Sequence, residues 1–213
     1  MNLNFSKKLK KSTKPPGYAG FTLAEILLTL LIIGVVAALT IPTLITNLND
    51  MQFRSAWKKN YSRISEAIDQ IKEQEVLSNQ ELNNLLRNTD FFNTTFAEKY
   101  RVMFEPGYNH SFFYPIKYLN GTDAGEMAQD YSGMFALIDG TIIVDKMSAN
   151  DEIFIDVNGG KGPNIIGRDI FLIAVNENNY ELVPYGFGLS TIHCGQGGND
   201  DDGKDCSLYY LRN

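Results

Sequence analysis

The sequence predicts an α+β fold in which one long N-terminal helix, half transmembrane and half amphipathic, packs on a small antiparallel β-sheet head. Three observations carry this. From Phe21 to Ile45 the chain reads FTLAEILLTLLIIGVVAALTIPTLI, apolar all round, with Glu25 as its only ionisable side chain. An amphipathic helical pattern follows it. The last third then holds short apolar runs separated by turn residues. The 213 residues are 44% hydrophobic and 21% charged, which excludes wholesale disorder, and 18 glycines with seven prolines exclude a collagenous or low-complexity array.

Charge is unevenly spread. Residues 1–20 hold Lys7, Lys8, Lys10, Lys11 and Lys14 and no acid, so the remaining 193 residues carry 14 basic against 25 acidic groups, a net of −11. The apolar run behind this basic tip would extend about 37 Å as a helix, enough to cross the ~30 Å hydrocarbon layer. Lysines before it and none close behind it predict a cytoplasmic N-terminus, with everything from about Asn47 outside the cytoplasm. A secretory signal peptide is the competing reading, with Val35-Val36-Ala37 mimicking its cleavage site. Its apolar core normally runs only ~7–15 residues. A carboxylate near the start of the run argues against it too, since an acid costs about 2.5–3.5 kcal/mol at the bilayer centre. A plain single-pass anchor explains the length but leaves Glu25 without a purpose.

The local string is Gly20-Phe21-Thr22-Leu23-Ala24-Glu25, after a lysine-rich leader and directly before about 20 apolar residues. Here the sequence resembles the type IV pilin and type II secretion pseudopilin family. The resemblance implies that a prepilin peptidase cuts between Gly20 and Phe21 and N-methylates Phe21, and that Glu25 recruits and registers subunits. The physical sense stands independently. Cleavage creates an α-amino cation at Phe21, and a buried carboxylate is tolerable beside a cation. Burial of both charges favours assembly over dispersal in lipid. Gly34 and Pro42 stand where family members often carry glycine and proline; tolerated breaks in a membrane helix is an equally open reading.

Past Pro42, Phe53, Trp57, Tyr61, Ile64, Ile68 and Ile71 recur at helical spacing, which predicts a helix continuing to about Gln74 with this stripe as its packing face. Basic residues Arg54, Lys58, Lys59 and Arg63 precede the acidic Glu66, Asp69, Glu73 and Glu75. Pairing of the basic block with the acidic block of a neighbouring subunit, and a simple solvated face, are both open.

In the head, short helices are expected around Gln80–Arg87 and Phe92–Tyr100, followed by aromatic and glycine-rich loops such as Tyr108–Gly125. Met134–Ile138 and Thr141–Val144 flank Asp139-Gly140, a hairpin signal. Ile153–Val157, Phe171–Val175 and Tyr180–Val183 read as three further strands. The glycine-rich stretch Asp156–Asn164 lacks the phosphate-loop pattern and reads as a structural turn, tied down by Asp169 through backbone amides. The resulting division is a leader (1–20), a membrane and assembly helix (21–46), its amphipathic continuation (47–78) and an extracytoplasmic head (79–213).

Cys194 and Cys206 enclose 11 residues, GQGGNDDDGKD. In an extracytoplasmic domain they read first as a disulfide. His110 and His193 are the only histidines and no C-x-x-C spacing exists, which disfavours metal ligation by the cysteines. Many type IV pilins resemble this chain in having a C-terminal disulfide loop, whereas the major secretion pseudopilins generally lack one. Inside the loop, Asp200, Asp202 and Asp205 are candidate calcium ligands; a solvated acidic turn is the alternative, and the spacing matches no EF-hand. No cofactor is required by this reading.

The leading functional expectation is a structural filament subunit, not an enzyme, since no catalytic constellation is visible. It sits in the inner membrane before assembly. Its partners are a prepilin peptidase, copies of itself and other pilin-like subunits, and an inner-membrane assembly platform. The alternative is a membrane-anchored extracytoplasmic binding module. Nucleic acid is disfavoured as a partner by the acidic head.

Overall fold

A computed structural model describes residues 20–96, 98, 114–126, 133–147, 151–189, 192, 194–195 and 202–213. Its contacts divide the chain into two compact units, one ending at Ile45 and the other spanning Thr46–Asn213. Helix α1, Leu23–Glu75, contributes to both, with Pro42 inside it. In the first unit its apolar side chains are exposed, and none of its most apolar 18-residue window is buried. This one helix is long and apolar enough to cross a membrane. Thr29 and Thr40 donate their hydroxyls to the carbonyls of Ile26 and Val36, both at 2.9 Å, which masks two polar groups within the apolar run.

In the second unit, α1 buries Trp57, Asn60, Ile64, Ala67 and Ile71, a spacing of three and four that lines one face. The expected stripe is rotated slightly: Phe53, Tyr61 and Ile68 flank the face and are only partly buried. The helix stops where Val76 takes a left-handed conformation, φ +54°, and the Leu77 N–H closes back on the Lys72 carbonyl at 3.0 Å. Helix α2, Asn79–Leu86, starts at a capping box. The Glu81 N–H bonds the Ser78 hydroxyl while the Glu81 carboxylate accepts from the Ser78 N–H. In the stretch expected to be helix over Phe92–Tyr100, a single turn at Thr89–Phe91 runs into a π-helical turn, Phe92–Phe96, and Glu98 is helical; Ala97, Lys99 and Tyr100 lie outside the described residues.

Strands β1, Pro115–Lys117, and β2, Asp123–Glu126, form a two-stranded antiparallel sheet inside the segment expected to be loop. Their brevity, with a proline in one and a glycine in the other, hides them from pattern reading; residues 108–113 of that segment lie outside the described residues. The main sheet is a five-stranded antiparallel meander in chain order: β3 Gly133–Ala136, β4 Ile142–Lys146, β5 Glu152–Asp156, β6 Ile170–Val175 and β7 Leu182–Pro184. At the first hairpin, Leu137 and Thr141 still pair, and Ile138-Asp139-Gly140 make the turn with Gly140 at φ +89°. A three-residue turn with glycine in the left-handed position matches the twist of the flanking strands.

Alternation along the strands gives the sheet two buried faces. Phe135, Ile143, Ile153, Ile155, Phe171 and Ile173 pack against α1 and α2 around Trp57, Ile64 and Leu86. Ala136, Ile142, Val144, Phe154, Ile170 and Leu172 pack on the other side with Ile116 of β1 and Ile166. The second layer goes beyond the single helix-on-sheet contact expected. A last helix, α3, Cys206–Arg212, completes the head and has no counterpart in the sequence expectation. Its Ser207 is fully buried: the hydroxyl accepts the Leu172 N–H of β6 and the carbonyl accepts the Trp57 indole N–H, each at 2.8 Å. One residue thus joins sheet, long helix and terminal helix.

Candidate processing and assembly site

Gly20, Phe21 and Thr22 precede α1 in non-helical conformation. Thr22 terminates the helix by a capping box. The Glu25 N–H donates to the Thr22 hydroxyl oxygen at 3.2 Å, while the Thr22 N–H and O–H both donate to one oxygen of the Glu25 carboxylate, at 2.8 and 2.9 Å. The Ile26 N–H then makes the first helical bond to the Thr22 carbonyl at 3.2 Å. The carboxylate sits at the positive end of the helix dipole, where a negative charge is favoured. Phe21 is 84% exposed, and the peptide bond on its N-terminal side lies two residues outside the first helical residue. Thr22 is the residue sequence reasoning passed over; the Thr-x-x-Glu spacing of a capping box was its signal. A side chain added at Gly20 or Gly34 would meet nothing within 4 Å, so packing inside this chain demands neither glycine.

Cys194 and Cys206 form the disulfide, with Cα atoms 4.7 Å apart. Cys206 is fully buried, and its sulfur stands 2.9 Å from where a Cβ would be at Gly167. Gly167, at φ +84°, therefore lets the loop before β6 approach the disulfide. His110, His193 and Asp200 lie outside the described residues. Asp202 accepts the Lys204 N–H at 2.9 Å, closing a local turn, and Asp205 lies against Gly186. Among the described residues no three acids, histidines or cysteines come together as a metal site.

Asp169 does tie down the glycine-rich turn: its two oxygens accept the N–H groups of Asn164 and Ile165 at 2.8 and 2.7 Å. Beside it, Asp156 accepts the Tyr114 hydroxyl and the Asn158 N–H. Burial pushes the Asp156 carboxyl up to about 7, and neighbouring Asp169 adds to the rise. Burial likewise pushes Asp145 up to about 7; one of its oxygens holds the Met147 N–H and the other has no partner among the described residues.

The basic block of α1 is largely engaged within its own head. Lys59 and Arg63 reach Asp139 at the hairpin tip, at 2.8 and 3.5 Å, and the Arg54 guanidinium lies 4.3 Å from the ring centre of Tyr210. Partial burial pushes the Asp139 carboxyl up, but Lys59 and the Thr141 hydroxyl and N–H outweigh it and hold the group below its usual value. Pairing with a neighbour's acidic block, one of the two open readings of these charges, would have to displace these intramolecular partners. Asp139 could not be paired with α1 from sequence, because the two are brought together only by the sheet.

No family model, curated protein or solved structure matches this chain.

Proposed function

We propose that this chain is a pilin-like structural subunit, cut by a prepilin peptidase between Gly20 and Phe21, N-methylated at Phe21, and polymerised through its N-terminal helix into an extracytoplasmic filament. The observation that carries the reading is the Gly20-Phe21-Thr22-Leu23-Ala24-Glu25 string at the start of an apolar helix long enough to cross a membrane. Such a helix is stable only in lipid or among copies of itself. Before assembly it is held in the inner membrane with the lysine-rich leader in the cytoplasm. The Glu25 carboxylate, held by Thr22 in the isolated chain, is within one helical turn of the amine that cleavage would create.

The test is co-expression with a prepilin peptidase and an assembly platform, followed by mass spectrometry of the product. The expected N-terminus is methylated Phe21. Glu25→Leu should remain in the membrane but fail to enter filaments, whereas a merely tethered binding module would keep working. An uncut chain, or filaments built normally from Glu25→Leu, would overturn the proposal.

A further inference from the structure

Strand β6 joins two ends of the head that differ in charge. Near its start, the Lys117 N–H and carbonyl bond Asn164 and Ile166 at 3.0 and 2.9 Å, which sets Lys117 beside the glycine-rich turn that carries Lys161. Arg168 lies in the same loop. Past its end, Glu177 and Glu181 belong to the turn into β7, where the Asn176 N–H bonds the Glu181 carbonyl at 2.8 Å. Asp151 stands alongside, its carbonyl accepting the Val175 N–H at 3.1 Å. Six residues of extended chain put about 17 Å between the two ends.

Most of these charges are matched within the chain. Arg168 holds Asp50 at 2.8 Å, Arg87 holds Asp151, Lys204 holds Glu152 at 3.3 Å, and Glu181 accepts from the Asn179 amide at 3.0 Å. Lys117 lies opposite Asp123 in the β1–β2 register. Lys161 and Glu177 are left over: both are exposed, and neither has a partner among the described residues. One is a free cation before the start of β6 and the other a free anion past its end, too far apart to meet within one molecule.

The two ends also differ in shape. Lys161 sits on a turn held from below. Asp169 accepts its Asn164 and Ile165 N–H groups, the Asn158 amide donates to the Gly162 carbonyl at 2.7 Å, and the Gly162 N–H bonds the Asn164 side-chain oxygen at 3.0 Å. Gly160, Lys161 and Pro163 are exposed on it. A turn already fixed loses little freedom on docking. Glu177 instead lines a groove made of two cavities of about 480 Å³ each, which share Ala174, Val175, Glu177 and Tyr185. Tyr180 and Phe187, 44% and 49% exposed, line it too. Exposed aromatic rings beside an uncompensated carboxylate suit an ammonium group.

We propose that the Lys161 turn of one copy docks in the β6–β7 groove of a second copy, its ammonium pairing with Glu177 beside Tyr180 and Phe187. Each copy then gives at one end and receives at the other. A head-to-tail pair of this kind keeps one free end of each sort, so further copies add to it. The contact needs neither cleavage of the leader nor packing of the membrane helix, so it holds or fails separately from the pilin-like reading.

The experiment is carbodiimide coupling of the full, uncut chain in phosphatidylcholine vesicles, from an equal mixture of unlabelled and nitrogen-15-labelled protein, with the coupled peptides mapped by mass spectrometry. The reagent joins an ammonium to a carboxylate in direct contact. A link between Lys161 and Glu177 should form, carry mixed isotopes because it joins two chains, and fall by about tenfold at ~0.5 M salt. Lys161→Glu and Glu177→Lys should each give no such link alone, and mixing the two variants should restore it. Tyr180→Ala, which leaves both charges in place, should lower the yield by roughly two- to fivefold. Glu25→Leu should link as the parent does. The proposal is overturned if the link is absent, if it joins residues of one chain only, if Glu177 couples instead to Lys58 or Lys117, if the mixed variants stay unlinked, or if Tyr180→Ala and high salt both leave the yield unchanged.

Discussion

Neutralising Asp145 should stabilise the head at pH 8 and do little at pH 5. Asp145 is wholly buried on β4, and burial raises its carboxyl from 3.8 to about 7, outweighing the Met147 N–H and then Arg87, which both pull it down. A carboxyl with a raised pKa in the folded state binds its proton more tightly there than in the unfolded chain. Its contribution to stability is therefore full below the unfolded value near pH 4 and is lost as pH rises to about 7. At about 1.36 kcal/mol per pH unit, the loss between pH 5 and pH 7 is roughly 3 kcal/mol. Asp145→Asn keeps the acceptor for the Met147 N–H and removes the titration. The variant's advantage over the parent should thus grow by roughly 3 kcal/mol from pH 5 to pH 8, or about 6–12 °C in Tm for a unit of this size. The assay is thermal and urea unfolding of residues 46–213 at constant ionic strength across that range. Parallel pH profiles for parent and variant would refute the reasoning, as would a parent more stable at pH 8 than at pH 5 by virtue of this group.

Val76→Gly should raise stability by about 1 kcal/mol, because a β-branched residue occupies the left-handed end of α1; calorimetry of the same fragment checks it. Cys194→Ser should cost about 3 kcal/mol in urea unfolding, the loop-closure value for so short a loop, and the reduced parent should behave alike. Trp57→Phe should cost about 1–3 kcal/mol in the same unfolding assay, since it keeps an apolar ring near Phe171 but leaves the buried Ser207 carbonyl without its donor. Lys59→Ala should change head stability by no more than about 1 kcal/mol, its bridge to Asp139 being half exposed, so any large fall in filament yield would report a contact between subunits.

The elements that were legible in sequence carry either a helical stripe or a short apolar run closed by turn residues. The helical stripe from Phe53 to Ile71 and the strands at 142–146, 152–156 and 170–175 each bury a face large enough to impose its pattern. The π-helical turn at Phe92–Phe96, the strands β1 and β2, and α3 are short and owe their form to tertiary partners. Ile116 becomes a core residue only because the sheet's second face needs a cover, and Ser207 is polar yet wholly buried because two distant elements bond to it. In the site, Glu25 stood out as a lone acid in an apolar run, whereas Thr22 is one of several threonines there and is singled out only by its bonds to Glu25. Asp169 was readable because its partners are four and five residues away; Asp139 was not, because Lys59 lies 80 positions upstream.

The position of Ser207 in chain order sets a timing rule for making the molecule. A ribosome that has delivered everything through β7 has supplied all five strands of the main sheet. It has not supplied the acceptor for the Trp57 indole, the acceptor for the Leu172 N–H, or either cysteine of the disulfide. Until residues 203–212 emerge, Trp57 and Phe171 stack with their terminal cover missing, and the first cysteine waits as a free thiol. Closure of the head is therefore a late event in synthesis, and a ribosome that stalls in the preceding loop releases a chain with an open core and a reactive sulfur, two marks by which quality control can recognise it.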